Sequence, residues 1–262
     1  MNPILDALPI TALFVITALL ALGAVELGRW TGLRRKQSGA EAEGPVGASV
    51  GATLGLLAFV LAFTFGMAAQ RFDLRRQMVV EDANAVGTTY LRTSLLPEPS
   101  ASAMRQQLRE YVDIRLDLAA NPERIDQALA RSEQLQNELW TRAAAIAIEQ
   151  PTSTSIPLFI QALNEMIDVH SSRLAAVRSR IPTTIWAFMF VTTAVGMLAI
   201  GYQSGLSGTR RSAAMGALAV AFAAIIMLIA DLDRSQEGFL RTNQQSLLDL
   251  QRSMRVHTTA PP

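Results

Sequence analysis

The sequence has no cysteine and little charge. Cysteine is absent from all 262 residues, which excludes disulfides, thiolate metal sites, iron–sulfur clusters and cysteine nucleophiles. Charged residues make up only 17% of the chain, whereas average soluble proteins have about 25%. The formal net charge is +1. This is too small to build the large basic surface that nucleic acids require, so nucleic acid is not an expected partner.

Motifs that carry catalysis or bind metals are also scarce. The chain contains no P-loop and no dinucleotide-binding fingerprint, and neither of its two histidines has a second histidine at metal-site spacing. The acidic residues Glu81-Asp82 and Asp231/Asp233 are most simply solvated charges on helices. The sequence therefore predicts neither an enzyme nor a resident metal or cofactor.

Long apolar runs are what the sequence does have. Half of the residues are hydrophobic, and they concentrate at 8–27, 46–69, 181–202 and 213–230. Each run approaches the roughly 20 apolar residues that a spanning helix needs. None carries a charge near its middle, where proton-coupled transporters usually have one. The sequence thus predicts an all-α integral membrane protein with four transmembrane helices.

The four spans form two pairs around a polar middle. The expected organisation is a first transmembrane pair at 1–70, a helical extramembrane region at 71–180, a second transmembrane pair at 181–231 and a C-terminal tail at 232–262. Proline-containing segments break the middle into four helices. The breaks lie at Pro97 to Pro99, Asn121-Pro122 and Pro151 to Pro157.

Charge alone does not decide which side of the membrane holds the middle. The basic cluster from Arg29 to Lys36 favours a cytoplasmic first loop. Seven arginines at the opposite span ends favour a cytosolic middle: Arg71, Arg75, Arg76, Arg173, Arg178, Arg180 and Arg234. We expect the middle and the tail to be cytosolic, in a multi-pass protein of the plasma (inner) membrane. The first span is expected to be retained because no basic residue precedes it.

The second span has a distinctive face. Gly47, Gly51 and Gly55 lie four residues apart, a spacing that lets helices pack closely in lipid, and Phe59 and Phe63 continue the interval. At helical periodicity one broad face collects Ala52, Gly55, Leu56, Phe59, Phe63, Gly66 and Gln70. In a symmetric oligomer this face would line an axis, and the two phenylalanines would form a hydrophobic constriction that gates by dewetting. The alternative is that they face lipid or a neighbouring helix.

Short segments of the chain resemble the bestrophins. Phe59-Val-Leu-Ala-Phe63, followed by Arg71-Phe72, resembles the bestrophin neck helix, where Phe-Val-Leu-Gly-Phe lines the constriction and an Arg-Trp pair follows. Leu163-Asn-Glu-Met166, ahead of Ile181-Pro182, resembles the run that leads into the third bestrophin span. Segments similar to three others recur in bacterial bestrophin-like proteins: Glu81 to Ala85, Leu95 to Pro99 and Asp231 to Arg234.

The resemblance implies a pentameric ion channel with a cytosolic helical middle. Phe59 and Phe63 would be neck residues, and the third neck position falls on Gly55, where bestrophins have a bulky aliphatic residue. The resemblance also places Asp231, Asp233 and Glu237 in the region where animal bestrophins hold a calcium ion. The acidic residues are sparser here, so calcium is not predicted and helix-end capping is the simpler role.

A second function remains open on the sequence alone. The chain would then be a non-conducting membrane sensor or adaptor, whose helical middle binds a ligand or a partner protein. Oligomeric symmetry separates the two hypotheses, because a sensor is usually dimeric and a channel needs a ring.

Overall fold

The protein is described by a computed structural model covering residues 8–38, 43–208, 213–234, 239–240 and 242–259. These residues form eight α-helices and two short 3-10 turns, Thr93–Leu95 and Pro122–Arg124, and they contain no strand. The helices are α1 Ile10–Ser38, α2 Glu43–Arg92, α3 Ser100–Ala120, α4 Ile125–Glu149, α5 Ile156–Arg178, α6 Thr183–Ser207, α7 Ala213–Asp233 and α8 Gln245–Thr259. The all-α prediction is confirmed.

The chain folds into two compact units, each built from two separate stretches of sequence. The first unit comprises Met1–Phe72 and Arg180–Leu240, and the second comprises Asp73–Ser179 and Arg241–Pro262. α2 contributes to both, because the division falls within it. The division concerns packing only, so the positions at which the spans leave the membrane stay predictions.

Four helical segments among the described residues are long and apolar enough to cross a membrane, as the sequence predicts. They belong to α1, the first part of α2, the stretch that includes α6, and α7. Only 22% to 33% of the residues in their most apolar windows are buried within the chain. Most of this apolar surface is therefore left for contact with lipid or with other copies of the chain.

α1 and α6 cross at positions where both helices carry glycines. Gly28 and Gly32 lie on α1, and Gly201 and Gly205 lie on α6; each pair has the Gly-x-x-x-Gly spacing that allows close helix approach in membranes. A Cβ atom added to any of the four would overlap a backbone carbonyl of the other helix. The two backbones are thus in contact, and no side chain fits between them.

α2 packs within the first unit through one face. Leu57, Leu61 and Ala68 on this face are at most 2% exposed, and Thr64 is 1% exposed. Thr64 does not need an external partner because its Oγ1 donates to the carbonyl of Val60 at 2.7 Å. The buried face fixes the rotation of α2, and with it the direction of the remaining residues of the span.

The second unit has an apolar core closed by the C-terminal helix. Met104, Leu139 and Phe159 are fully buried on three different helices. From α8, Met254 packs in the same core at 1% exposure, and the Tyr90 hydroxyl donates to its carbonyl at 3.2 Å. The segment that the sequence analysis describes as a tail is therefore a structural part of this unit.

A charged network is buried inside the second unit. Asp82 is 0% exposed and forms ion pairs with Arg115 and Arg173. Arg115 donates to Nδ1 of His170 and, at 2.6 Å, to the Tyr111 hydroxyl, which lies 3.1 Å from the same Nδ1. The interpretation of Glu81-Asp82 as solvated charges is thus wrong for Asp82. Asp82 lies between Val79 and Val86 on the buried stripe of α2, so its side chain points into the unit.

The pKa of His170 is lowered from its usual 6.5 to about 4 by burial and by the charges of Arg115 and Arg173, while Asp82 opposes the shift. Between pH 6.5 and 4 the unfolded chain therefore binds a proton at this residue that the folded chain does not. Folding stability should fall as pH falls through this window, by about 3 kcal/mol in total from this residue. Above pH 6.5 it should contribute no pH dependence.

Thermal unfolding of the purified protein at pH 7.5 and pH 4.5 checks this. His170→Asn keeps an acceptor without a titrating ring, so the variant should lose less stability over the same interval. Because the other acidic and basic groups are common to both proteins, the difference isolates His170. An equal loss in the two proteins would contradict the assignment.

Candidate pore face on the second helix

The predicted face of the second span is uncovered within the protomer. The residues that the sequence places on this face are all exposed: Ala52, Gly55, Leu56, Phe59, Phe63, Gly66 and Gln70. They lie on the side of α2 away from the buried Leu57 and Leu61. The structure thus keeps these side chains together along one exposed stripe.

Phe59 and Phe63 form a pair on this stripe. Their side chains are 68% and 61% exposed. The ring centroids are 6.4 Å apart and the ring planes differ by 18°, a stacked arrangement. The separation of one helical turn produces this stacking because residues i and i+4 lie one above the other. The pair presents about two turns of aromatic surface with no covering side chain from the described part of its own chain.

Glycines on either side of the pair leave the helix backbone without covering side chains. A Cβ at Gly51, Gly55 or Gly66 would have no described atom within 4 Å, whereas one at Gly47 would lie 3.0 Å from Nε2 of Gln203. The close helix packing expected of Gly47 and Gly51 is therefore not made by Gly51 within the described protomer. A packing role for Gly51 between protomers stays a prediction.

The segment Gly47-Ala-Ser-Val-Gly51 also matches the Gly-x-Ser-x-Gly pattern of hydrolases. That motif needs a sharp turn between a strand and a helix, which lifts the serine hydroxyl out of the backbone. Ser49 instead lies inside continuous α2, so the motif has no catalytic geometry here.

The polar end of the stripe adjoins a charged cluster of the first unit. Arg71 follows Gln70 and lies 3.9 Å from Oδ1 of Asp233. That carboxylate also accepts the backbone N–H of Ile181 at 3.0 Å. Asp231 accepts the backbone N–H groups of Phe239 and Leu240 at 2.8 and 3.1 Å.

These contacts indicate the structural role of Asp231 and Asp233. Both are buried, at 2% and 8% exposure, so the interpretation as solvated charges is wrong. Their oxygens already accept N–H groups, and guanidinium groups crowd the same helix end, a setting that suits structural capping better than a divalent cation. Glu237, the third acidic residue of the predicted cluster, lies outside the described residues. No calcium site is assigned to these residues.

Two features of the structure were not predicted from the sequence. One is the glycine crossing of α1 and α6, although its Gly-x-x-x-Gly signal is present in both helices. The other is the network around Asp82, for which the signal is a charged residue on an apolar stripe. In each case the partner comes from a distant part of the sequence.

A family comparison covers almost the whole chain. Residues 12–247 match the model of the Bestrophin-like domain. No curated protein matches the sequence.

Solved structures with the same fold include a bacterial bestrophin homologue and variants of it. The crystal structure of a bacterial bestrophin homologue from Klebsiella pneumoniae has a TM-score of 0.67 at 14% identity, covering 95% of this chain and 98% of that one. A single-substitution variant of that homologue has a TM-score of 0.68 at 15% identity, with 96% and 99% covered. A crystal structure described as that of a membrane protein has a TM-score of 0.65 at 15% identity, with 95% and 98% covered. At these identities the likeness is one of fold.

Proposed function

The chain belongs to the bestrophin-like family, and from that membership we propose that it assembles into a ring of identical subunits, five as the resemblance implies, and conducts ions through a pore lined by α2. Bestrophins are ion channels rather than enzymes, which makes conduction the activity to test first. Phe59 and Phe63 form the neck of the pore in this proposal. Gly55, Gly66 and Gln70 line it on either side.

The exposed stripe on α2 is the observation that carries the proposal. A helix face turned only to lipid is usually covered by large apolar side chains, whereas this one contains two glycines and ends in a glutamine. Glycine allows copies of α2 to approach a common axis, and the polar end suits water. The stacked phenylalanines narrow such an axis with apolar surface, which favours dewetting.

Two measurements on the purified protein test the proposal. Mass determination of the detergent-solubilised protein should give a closed ring, and planar bilayers containing it should show single-channel currents. A dimer without currents would favour the sensor or adaptor function instead. A ring whose axis is lined by another helix would remove α2 from the pore.

The proposal places the second unit in the cytosol and the protein in the plasma (inner) membrane. The cysteine-free sequence makes this testable with single introduced cysteines. Ser132 lies near the middle of the sequence of this unit, but it is 1% exposed. A cysteine at this position would therefore not react with a thiol reagent from either side. Thr154, in the turn between α4 and α5, is exposed and replaces it.

In intact cells, Thr154→Cys should be protected from a membrane-impermeant maleimide and should react after permeabilisation. Gln37→Cys, at the exposed end of α1, is the matched control and should react in intact cells. The reason is that a single span, the second, separates the first loop from the second unit. The reverse labelling pattern would overturn the cytosolic assignment.

A further inference from the structure

A cavity opens in the second unit where the end of α2 meets the start of α3. Its volume is about 540 Å³, and it is lined by Tyr90, Leu91, Thr93, Ser94, Ser102, Arg105 and Arg109. Ligand cavities in proteins typically have volumes of about 300–1,000 Å³. The stripe on α2 that we assign to the pore ends at Gln70, so this cavity has no part in the proposed pore.

Two arginines on one face of α3 point into the cavity from fixed positions. The Arg109 guanidinium donates to the Tyr90 hydroxyl at 2.7 Å, and its carbon lies 5.6 Å from the centre of the Tyr90 ring. Nε of Arg105 donates to Oγ1 of Thr93 at 3.0 Å. Thr93 is fully buried and its hydroxyl is itself anchored on the Tyr90 carbonyl at 2.7 Å. Guanidinium groups held in this way lose little freedom when a ligand binds.

The described lining of the cavity carries positively charged side chains. No carboxylate belongs to its described lining. Glu98 outside the lining reaches Arg105 at 3.5 Å, but that carboxylate is 58% exposed and also accepts the Ser102 backbone N–H at 3.1 Å. Like charges four residues apart on a helix repel each other.

We propose that this cavity binds a small organic anion through a carboxylate or phosphate group held by Arg105 and Arg109. The planar guanidinium fork matches both groups and makes strong charge-assisted hydrogen bonds to them. Ser94 lies at the rim, where its hydroxyl already donates to the Leu91 carbonyl at 2.7 Å, so the two guanidinium groups are the donors of the site. Leu91, at 62% exposure, offers an apolar surface to the carbon part of the ligand. The proposal is independent of conduction, because none of these residues belongs to the pore face.

Isothermal titration calorimetry of the full-length protein in detergent tests the site. The probes are succinate for the carboxylate and glycerol 3-phosphate for the phosphate, with succinamide and glycerol as their uncharged counterparts. At least one anion should bind saturably and neither counterpart should. The anion that binds identifies the group that the site takes. Arg105→Gln and Arg109→Gln should each weaken binding by about tenfold or more, since each removes charge-assisted hydrogen bonds.

Two further variants keep the test sharp. Arg142→Gln removes the same charge at an exposed position on α4 and should leave affinity unchanged. Ser94→Trp fills the cavity from an exposed rim position without removing charge and should abolish binding in a folded protein. The proposal is overturned if neither anion binds at concentrations up to about 10 mM. It is also overturned if Arg142→Gln weakens binding as much as the cavity variants, or if Ser94→Trp binds normally.

Discussion

Channels in which Phe59 and Phe63 are both replaced by alanine should conduct severalfold more current than the wild type. In the proposed ring each phenylalanine contributes to a band of apolar surface, from which water withdraws because it cannot replace its lost hydrogen bonds. Alanine widens both bands and lets the neck stay wet. Single-channel recording in planar bilayers measures the change.

The substitutions should leave the protein folded. Both rings are mostly exposed within the protomer and stack on each other, so their removal leaves the buried face of α2 intact. Phe65→Ala is the control: it removes the same side chain from the same helix, about 240° around from Phe59. Phe65 is 39% exposed, and its removal should leave conductance unchanged.

Gly55→Ile should act in the opposite direction. A side chain has open space at this position in the protomer, so isoleucine would add a third apolar band and reduce the current. Unchanged currents in both the alanine and the isoleucine variants would place these residues away from the permeation path. The four-span fold would then stand without the proposed neck.

Gly28→Ala should destabilise the protein strongly. Its new Cβ would overlap the Leu198 carbonyl on α6, and a backbone carbonyl cannot rotate away as a side chain can. α1 and α6 would have to separate, a form of overpacking that costs about 1–3 kcal/mol or more. The thermal midpoint of the detergent-solubilised protein should fall by several degrees, or folded protein should not be recovered.

Gly23→Ala is the matched control on the same helix. A Cβ there has no described neighbour within 4 Å, and alanine favours helix over glycine by up to about 1 kcal/mol. This variant should be as stable as the wild type or slightly more so. If the two variants behaved alike, the close crossing of α1 and α6 would not be a stabilising contact.

The main architecture follows from the sequence because each span is encoded locally. An uncharged run of apolar residues has one low-energy solution in a membrane, a helix that satisfies its own backbone. The neighbouring positions of Phe59 and Phe63 also follow locally, since a spacing of four places them on one face whatever surrounds the helix. Neither inference needs knowledge of what the helix packs against.

The anion cavity and the buried network could not be predicted in the same way. Arg105 and Arg109 have ordinary positions on an amphipathic helix, and only the placement of Tyr90 and Thr93 across the turn makes them a site. Likewise, Asp82 meets Arg115 and Arg173 only after three helices have packed. Such sites depend on contacts between distant parts of the sequence, and the period of one helix carries no information about them.

The glycines show a mixed case. The spacing rule is visible at Gly47 and Gly51 and equally at Gly201 and Gly205, but it does not say which pair meets a partner within the chain. In the structure, the glycine pairs that contact each other within the chain are those on α1 and α6. The structure leaves Gly51 free of described neighbours, where a second copy of α2 has room to approach.

The use of α8 to close the second unit has a consequence for biosynthesis. Leu247 and Met254 of α8 are buried in this unit, which lacks them until the ribosome has passed both spans of the second transmembrane pair. During that interval the earlier helices of the unit expose apolar surface that α8 later covers, a state prone to aggregation and to capture by chaperones. Truncations that remove α8 should therefore reduce the yield of protein at the stage of synthesis, even though all four spans remain to be inserted.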